Sequence, residues 1–132
     1  VRPEEVVIFL GRLTYMARGD YYETKAREFL KSKGYRIIRN NFRSRFGEID
    51  IIAKDKKTVS FIEVKARDSN YLVSGIEAVD QGKREKIKKT ALFYVSNLRQ
   101  QDGSFRFDVL EIIQGSRWRQ FNLIKNAFRM DG

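Results

Sequence analysis

The chain of 132 residues contains no cysteine and no histidine, and it has a single proline. Without cysteine there are no disulfides, thiolate zinc sites or cysteine nucleophiles. Without histidine there is no Ser-His-Asp triad and no imidazole general base. A bound metal would have to be held by carboxylates, backbone carbonyls and water, a ligand set suited to Mg²⁺ or Mn²⁺. Long apolar runs are also missing: Val6 to Leu10 is the most apolar early stretch and falls far short of the ~20 residues of a membrane-spanning helix. A soluble cytoplasmic protein is the expectation, with no membrane partner.

Acidic residues are the minority, 17 against 27 Lys and Arg, for a formal charge of +10. That excess favours a polyanionic partner, nucleic acid or an anionic membrane surface, and charge alone does not choose between them. The hydrophobic content of 42% with 13% aromatics is enough for one folded domain with a real core.

Two stretches carry the chemistry. Gly47-Glu48-Ile49-Asp50-Ile51-Ile52 and Phe61-Ile62-Glu63-Val64-Lys65-Ala66-Arg67 both alternate with period two, as strands do. The alternation puts Glu48, Asp50 and Ile52 on one face of the first strand and Ile49 and Ile51 on the other. In the second, Phe61, Glu63, Lys65 and Arg67 share a face. With Lys56-Lys57 as a two-residue hairpin loop, Asp55 faces Thr58 and Asp50 falls opposite Glu63. Opposed carboxylates, with Cβ atoms about 5 Å apart, repel and call for a cation. Either a divalent metal or Lys65 in a plain salt-bridge cluster can supply it.

Before the hairpin, Pro3-Glu4-Glu5 predicts a short helix to about Met16, within an N-terminal extension over residues 1–18, and Met16 offers an alternative start of the chain. Asp20 as N-cap with Glu23 in a capping box predicts a helix to about Lys33, stopped at Gly34. Its stripe of Tyr22, Ala26, Phe29 and Leu30 leaves Glu23 at the border, either as a cap or facing a neighbouring cleft. Tyr35 to Ile38 reads as a strand, and Asn40 to Arg45 as a basic turn.

After the hairpin, Asp68 to Gly75 reads as a loop, and Ala78 to about Leu98 as a helix with Ile87, Ala91, Tyr94, Val95 and Leu98 on its core face. Its other face is crowded with lysine. Arg43, Arg45, Arg67, Lys83, Arg84 and Lys86 are the candidate nucleic-acid contacts, against the alternative of ordinary solvated charge. Phe105 to Ile113 and Trp118 to Ile124 complete the strands, Trp118 being either core or a base-stacking group.

Glu23-x-x-Ala26-x-x-x-Leu30, Gly34-Tyr35, Asn41-x-Arg43, Gly47-Glu48-Ile49-Asp50-Ile51-Ile52, Phe61-x-Glu63-Val64-Lys65-x-Arg67 and Arg106-Phe107-Asp108-Val109, in this order, resemble the YraN-like family of uncharacterised proteins. That family is similar to archaeal Holliday-junction resolvases of the PD-(D/E)XK nuclease superfamily. The resemblance covers about Gly19 to Phe128 and implies a restriction-endonuclease-like α/β single domain over residues 19–132, a central mixed sheet flanked by helices. It implies Asp50 and Glu63 as metal ligands with the Val64 carbonyl, Lys65 as catalytic lysine, and Glu23 as a further catalytic acid at the metal or its water. It also implies a Mg²⁺- or Mn²⁺-dependent DNA endonuclease acting on branched or damaged DNA, working as a homodimer. The alternatives are a nucleic-acid-binding module that keeps the fold without turnover, and a basic membrane-surface or protein-interaction domain.

Overall fold

The structure, a computed structural model, describes residues 4–9, 12–69, 79–98 and 103–131, with side chains from residue 21 onward. Strands β1 (Glu4–Phe9) and β2 (Arg12–Ala17) form a two-stranded antiparallel sheet. This corrects the helix expected there. Val6-Val7-Ile8-Phe9 is a run of β-branched and aromatic side chains, and their fit to a pleated ladder outweighs one early proline followed by acids.

Helix α1 (Arg18–Ser32) follows β2 directly, so Asp20 lies inside the helix and is not its cap. Next come β3 (Arg36–Ser44), β4 (Gly47–Asp55), β5 (Thr58–Asp68), α2 (Gln81–Ser96), β6 (Ser104–Gln114) and β7 (Arg119–Phe128). Asn40 to Arg45 is therefore mostly strand. A register shift between Ile37 and Arg39 and a positive φ at Asn41 give it the irregular look that reads as a turn. Of the expected loop after the hairpin, Asp68 ends β5 and residues 70–78 lie outside the described residues.

The five strands β3 to β7 form one sheet in sequence order, antiparallel except for the parallel pair β5 and β6. A parallel pair needs a long crossover, and α2 lies in it. One face of the sheet packs Ile51, Ala53, Ile62, Leu110 and Ile112 against Tyr22, Ala26 and Leu30 of α1. The other packs Ile49, Ile52, Phe61, Phe107 and Val109 against Ile87 and Ala91 of α2. The result is a single restriction-endonuclease-like α/β domain, a mixed sheet between two helices. Each fully buried Leu, Ile or Phe contributes about 1.5 to 3 kcal/mol, so the two apolar layers dominate the stability of the sheet's centre.

The hairpin loop is Lys56-Lys57, with Asp55 opposite Thr58 and Ile51 opposite Ile62. That is the register the alternation predicts. Ile49 departs from it: it packs on the α2 side with Ile52, not with Ile51. β4 pairs with β5 only from Ile51 to Asp55, and its first residues follow β3, through Phe42 with Ile49 and Arg43 with Glu48. Where the β5 ladder stops, β4 turns.

At the opposite end of β5 a buried polar network ties four strands together. Asp108 is fully buried and accepts hydrogen bonds from the Ser60 hydroxyl, from Arg106 Nε at 2.8 Å and from the Asn126 N–H at 3.0 Å. Arg106 also donates to the Tyr35 hydroxyl at 2.8 Å and to Asp55 at 3.2 Å. Burial pushes the Tyr35 hydroxyl up to about 12, and hydrogen bonds from Arg106 and Lys125 outweigh burial to hold Asp55 below the usual carboxylate range.

Candidate active site

The site sits where β4 leaves β5. The ladder ends at Ile51 and Ile62, and one residue beyond it the Asp50 carboxylate accepts a hydrogen bond from the Val64 N–H at 2.8 Å. A side chain thus takes over where a backbone carbonyl would continue the ladder. Because a strand residue directs its N–H and C=O to the same edge, the Val64 carbonyl faces the same opening.

Glu63 is only 4% exposed, and two ammonium groups reach its carboxylate: Lys65 at 3.6 Å, and Lys83 from the first turn of α2 in closer contact. Asp80 caps α2 by accepting from the Lys83 N–H at 2.8 Å, which fixes the turn that carries Lys83. Lys83 was expected to contact nucleic acid; here it lies at the carboxylates. Its position depends on how α2 docks on the sheet, which helical periodicity alone does not give.

Burial perturbs the charges at this site. Burial, then the charge of Glu63, and more weakly that of Glu23, push Asp50 up to about 8, against the Val64 hydrogen bond that favours the ionised form. Lys65 is held below its usual range by burial and by the neighbouring Lys83. Burial also opposes the charge on Lys83, but Glu63 outweighs it and raises that group. Asp50 therefore keeps a proton that a closely bound divalent cation would displace.

The donors fit Mg²⁺ or Mn²⁺: two carboxylates and a carbonyl, all oxygen. Glu23 on α1 acts on Asp50 through space. Yet among the described residues no three Asp or Glu side chains stand close enough together to hold an ion. Asp50, Glu63 and the Val64 carbonyl are gathered at the opening, and Glu23 adds its charge beside Asp50.

The remaining basic candidates divide. Lys86 and Arg45 are exposed, and Arg43 pairs with Glu48 at 3.0 Å. Arg67 does not reach the surface: it is 9% exposed and pairs at 3.4 Å with Glu111, which also accepts from Asn122. Arg84 donates to the Val79 carbonyl and stacks on Phe128, turned toward β7. Both side chains brace the scaffold. Trp118 precedes β7 and is 50% exposed.

Residues 22–112 match the sequence profile of the uncharacterised protein family UPF0102. The chain belongs to this family. It is 42% identical over 114 residues to a UPF0102 protein of Clostridium acetobutylicum, covering 85% of this chain and 93% of that one. A UPF0102 protein of Persephonella marina is also 42% identical, over 86% of this chain and 95% of its own. One from Clostridium botulinum strain 657 is 44% identical over 115 residues, 85% of this chain and 94% of that one. The UPF0102 match begins one residue before Glu23 and ends within β6. It encloses Asp50, Glu63, Lys65, Lys83, Arg106 and Asp108, and it leaves out β1, β2 and β7.

Proposed function

We propose that this protein is a Mg²⁺- or Mn²⁺-dependent endonuclease that adds water across a phosphodiester of DNA, leaving a phosphomonoester and an alcohol. The observation that carries the reading is the join at the end of the β4–β5 ladder. Asp50 and Glu63 meet there beside Lys65, and Asp50 is raised to about 8. The resemblance of the sequence to PD-(D/E)XK nucleases supports the same reading.

Asp50, Glu63 and the Val64 carbonyl would hold the ion, which when bound supplies charge neutralisation and Lewis acidity at the scissile phosphate. Lys65 holds its proton less firmly than a free lysine does, which suits its Nζ to orient an attacking water and exchange a proton with it. Lys83, beside Glu63, would offer a further cation for the phosphate. Glu23 increases the negative potential that draws the metal in.

A second reading, a nucleic-acid-binding module without turnover, is favoured by one observation: two lysines already sit on Glu63 and, among the described residues, no group of three acidic side chains forms an ion site. Incubation with single-stranded, duplex and four-way-junction DNA in Mn²⁺, beside Asp50→Asn, separates the two. Cleavage abolished in the variant supports the nuclease. Binding without cleavage in Mg²⁺ or Mn²⁺ overturns it in favour of the module, and equal cleavage by both proteins marks a contaminant.

A further inference from the structure

Next to the carboxylates, the turn between β3 and β4 packs against one stripe of α2. Ser44 Oγ lies 3.4 Å from Thr90 Oγ1, and a Cβ on Gly47 would stand 3.2 Å from Lys86 Cβ, so backbone and helix are nearly in contact there. Around this contact the seam opens into a cleft lined by Gly47, Glu48, Lys83 and Lys86. Lys83, Lys86, Thr90 and Phe93 follow one another at intervals of three and four, on one face of the helix and over about 15 Å. The stripe starts at Glu63 through Lys83 and ends at aromatic rings.

Those rings are the unusual part. Phe93 is 41% exposed beside Leu92 at 54%, and its centroid is 6.2 Å from that of Phe46 at the turn. Arg45 stacks on the Phe46 ring at 4.9 Å, and Arg39 on Phe42 at 5.1 Å. Among the described residues no carboxylate pairs with Lys86, Lys89, Arg39 or Arg45. Two such basic faces would repel, which disfavours a second copy of this chain. Rings alternating with cations that no described carboxylate neutralises match a strand of alternating bases and phosphates. Only unpaired bases can present their faces to a ring, since a duplex keeps them stacked inside.

We infer that this seam binds single-stranded DNA leading to the cleavage site, bases stacking on Phe46 and Phe93 and phosphates lying against Lys86 and Arg45. The inference names the substrate form for the nuclease proposed above and rests on that reading for its direction toward Glu63. In the single-stranded form, stacking supplies affinity without choosing a sequence.

The test is anisotropy of a fluorescent oligo-dT and of a duplex of equal length, with the full chain in EDTA. Phe93→Ala and Phe46→Ala are expected to weaken oligo-dT binding about five- to one-hundredfold each, with duplex binding within about twofold. Phe93→Leu keeps an apolar side chain for the fold and is expected to show the same loss. Arg45→Gln is expected to lower the salt slope by about 0.7. Unchanged oligo-dT affinity in the phenylalanine variants overturns the inference. So does an equal loss for duplex, or a dimer in sedimentation that Phe93→Leu dissolves. With metal withheld, a chain that binds but never cleaves still passes, and one that cleaves without needing Phe46 or Phe93 fails.

Discussion

The carboxylate of Asp50 accepts the Val64 N–H at 2.8 Å, one residue past the last β4–β5 backbone pair, so a side chain closes a ladder that the backbone has left. The geometry keeps Asp50 beside Glu63 at an electrostatic cost, and that cost depends on pH.

Asp50 titrates near 8 when folded and near 4 when unfolded. Below pH 4 both states are protonated and the site's contribution to stability is fully present. Between pH 4 and 8 the unfolded chain releases a proton that the folded chain keeps, so that contribution is lost as pH rises. Asp50→Asn can still accept from Val64 and does not titrate. In urea denaturation with EDTA it is expected to be about 1 to 3 kcal/mol more stable than wild type at pH 8 and nearly equal at pH 4. A variant less stable at pH 8 would contradict the raised value.

Metal binding should expel the same proton. Calorimetric titration of Mn²⁺ in buffers of different ionisation enthalpy is expected to report about one proton released per site at pH 7 and almost none at pH 9. Equal release at both pH values would mean that Asp50 is already ionised.

Lys83→Met removes the closer of the two cations on Glu63. Because Lys83 is partly exposed, the metal-free protein is expected to lose only about 1 to 2 kcal/mol, less than for a fully buried pair. Mn²⁺ should bind more tightly and restore most of the loss. Weaker Mn²⁺ binding would show that Lys83 does not compete for the carboxylate.

Asp108 is the centre of the scaffold network, and Asp108→Ala leaves Arg106 Nε, the Ser60 hydroxyl and the Asn126 N–H without their acceptor. A loss of about 3 to 5 kcal/mol in chemical denaturation is expected, and about 1 to 2 for Ser60→Ala. A loss under 1 kcal/mol for Asp108→Ala would show that the network is not holding the strands.

Gly47 has φ +150° and lies against Lys86, so Gly47→Ala combines backbone strain with a tight contact. A loss of about 1 to 3 kcal/mol is expected in the same assay. An unchanged midpoint would mean that the turn shifts freely off α2.

Much of this was legible in the chain. Apolar alternation and the Lys56-Lys57 loop fix the β4–β5 register from Ile51 to Asp55; the expected pairing of Asp50 opposite Glu63 falls one step past its end, where Asp50 accepts from the Val64 N–H instead. Three things were hidden, each set by tertiary contact. The turn of β4 that carries Ile49 to the α2 side depends on a change of strand partner, which alternation cannot express. Lys83 reaches Glu63 because of where α2 docks, while its neighbour Arg84 turns away to Phe128. Arg67 is an exposed cation by residue type and a buried one once Glu111 lies beside it in β6. The β1–β2 hairpin is a different miss: its β-branched run was visible, and Pro3-Glu4-Glu5 drew the reading toward a helix.

β5 behaves as a cantilever. Ser60, held by Asp108, is its built-in end, and Glu63 and Lys65 stand on the arm beyond the β4 pairing, still supported along β6. A single residue inserted between Ser60 and Glu63 would leave the anchored end in place and turn the arm over. Apolar side chains from the α1 face would then stand where the acid and the lysine now are, and the lost function would come with an intact scaffold network.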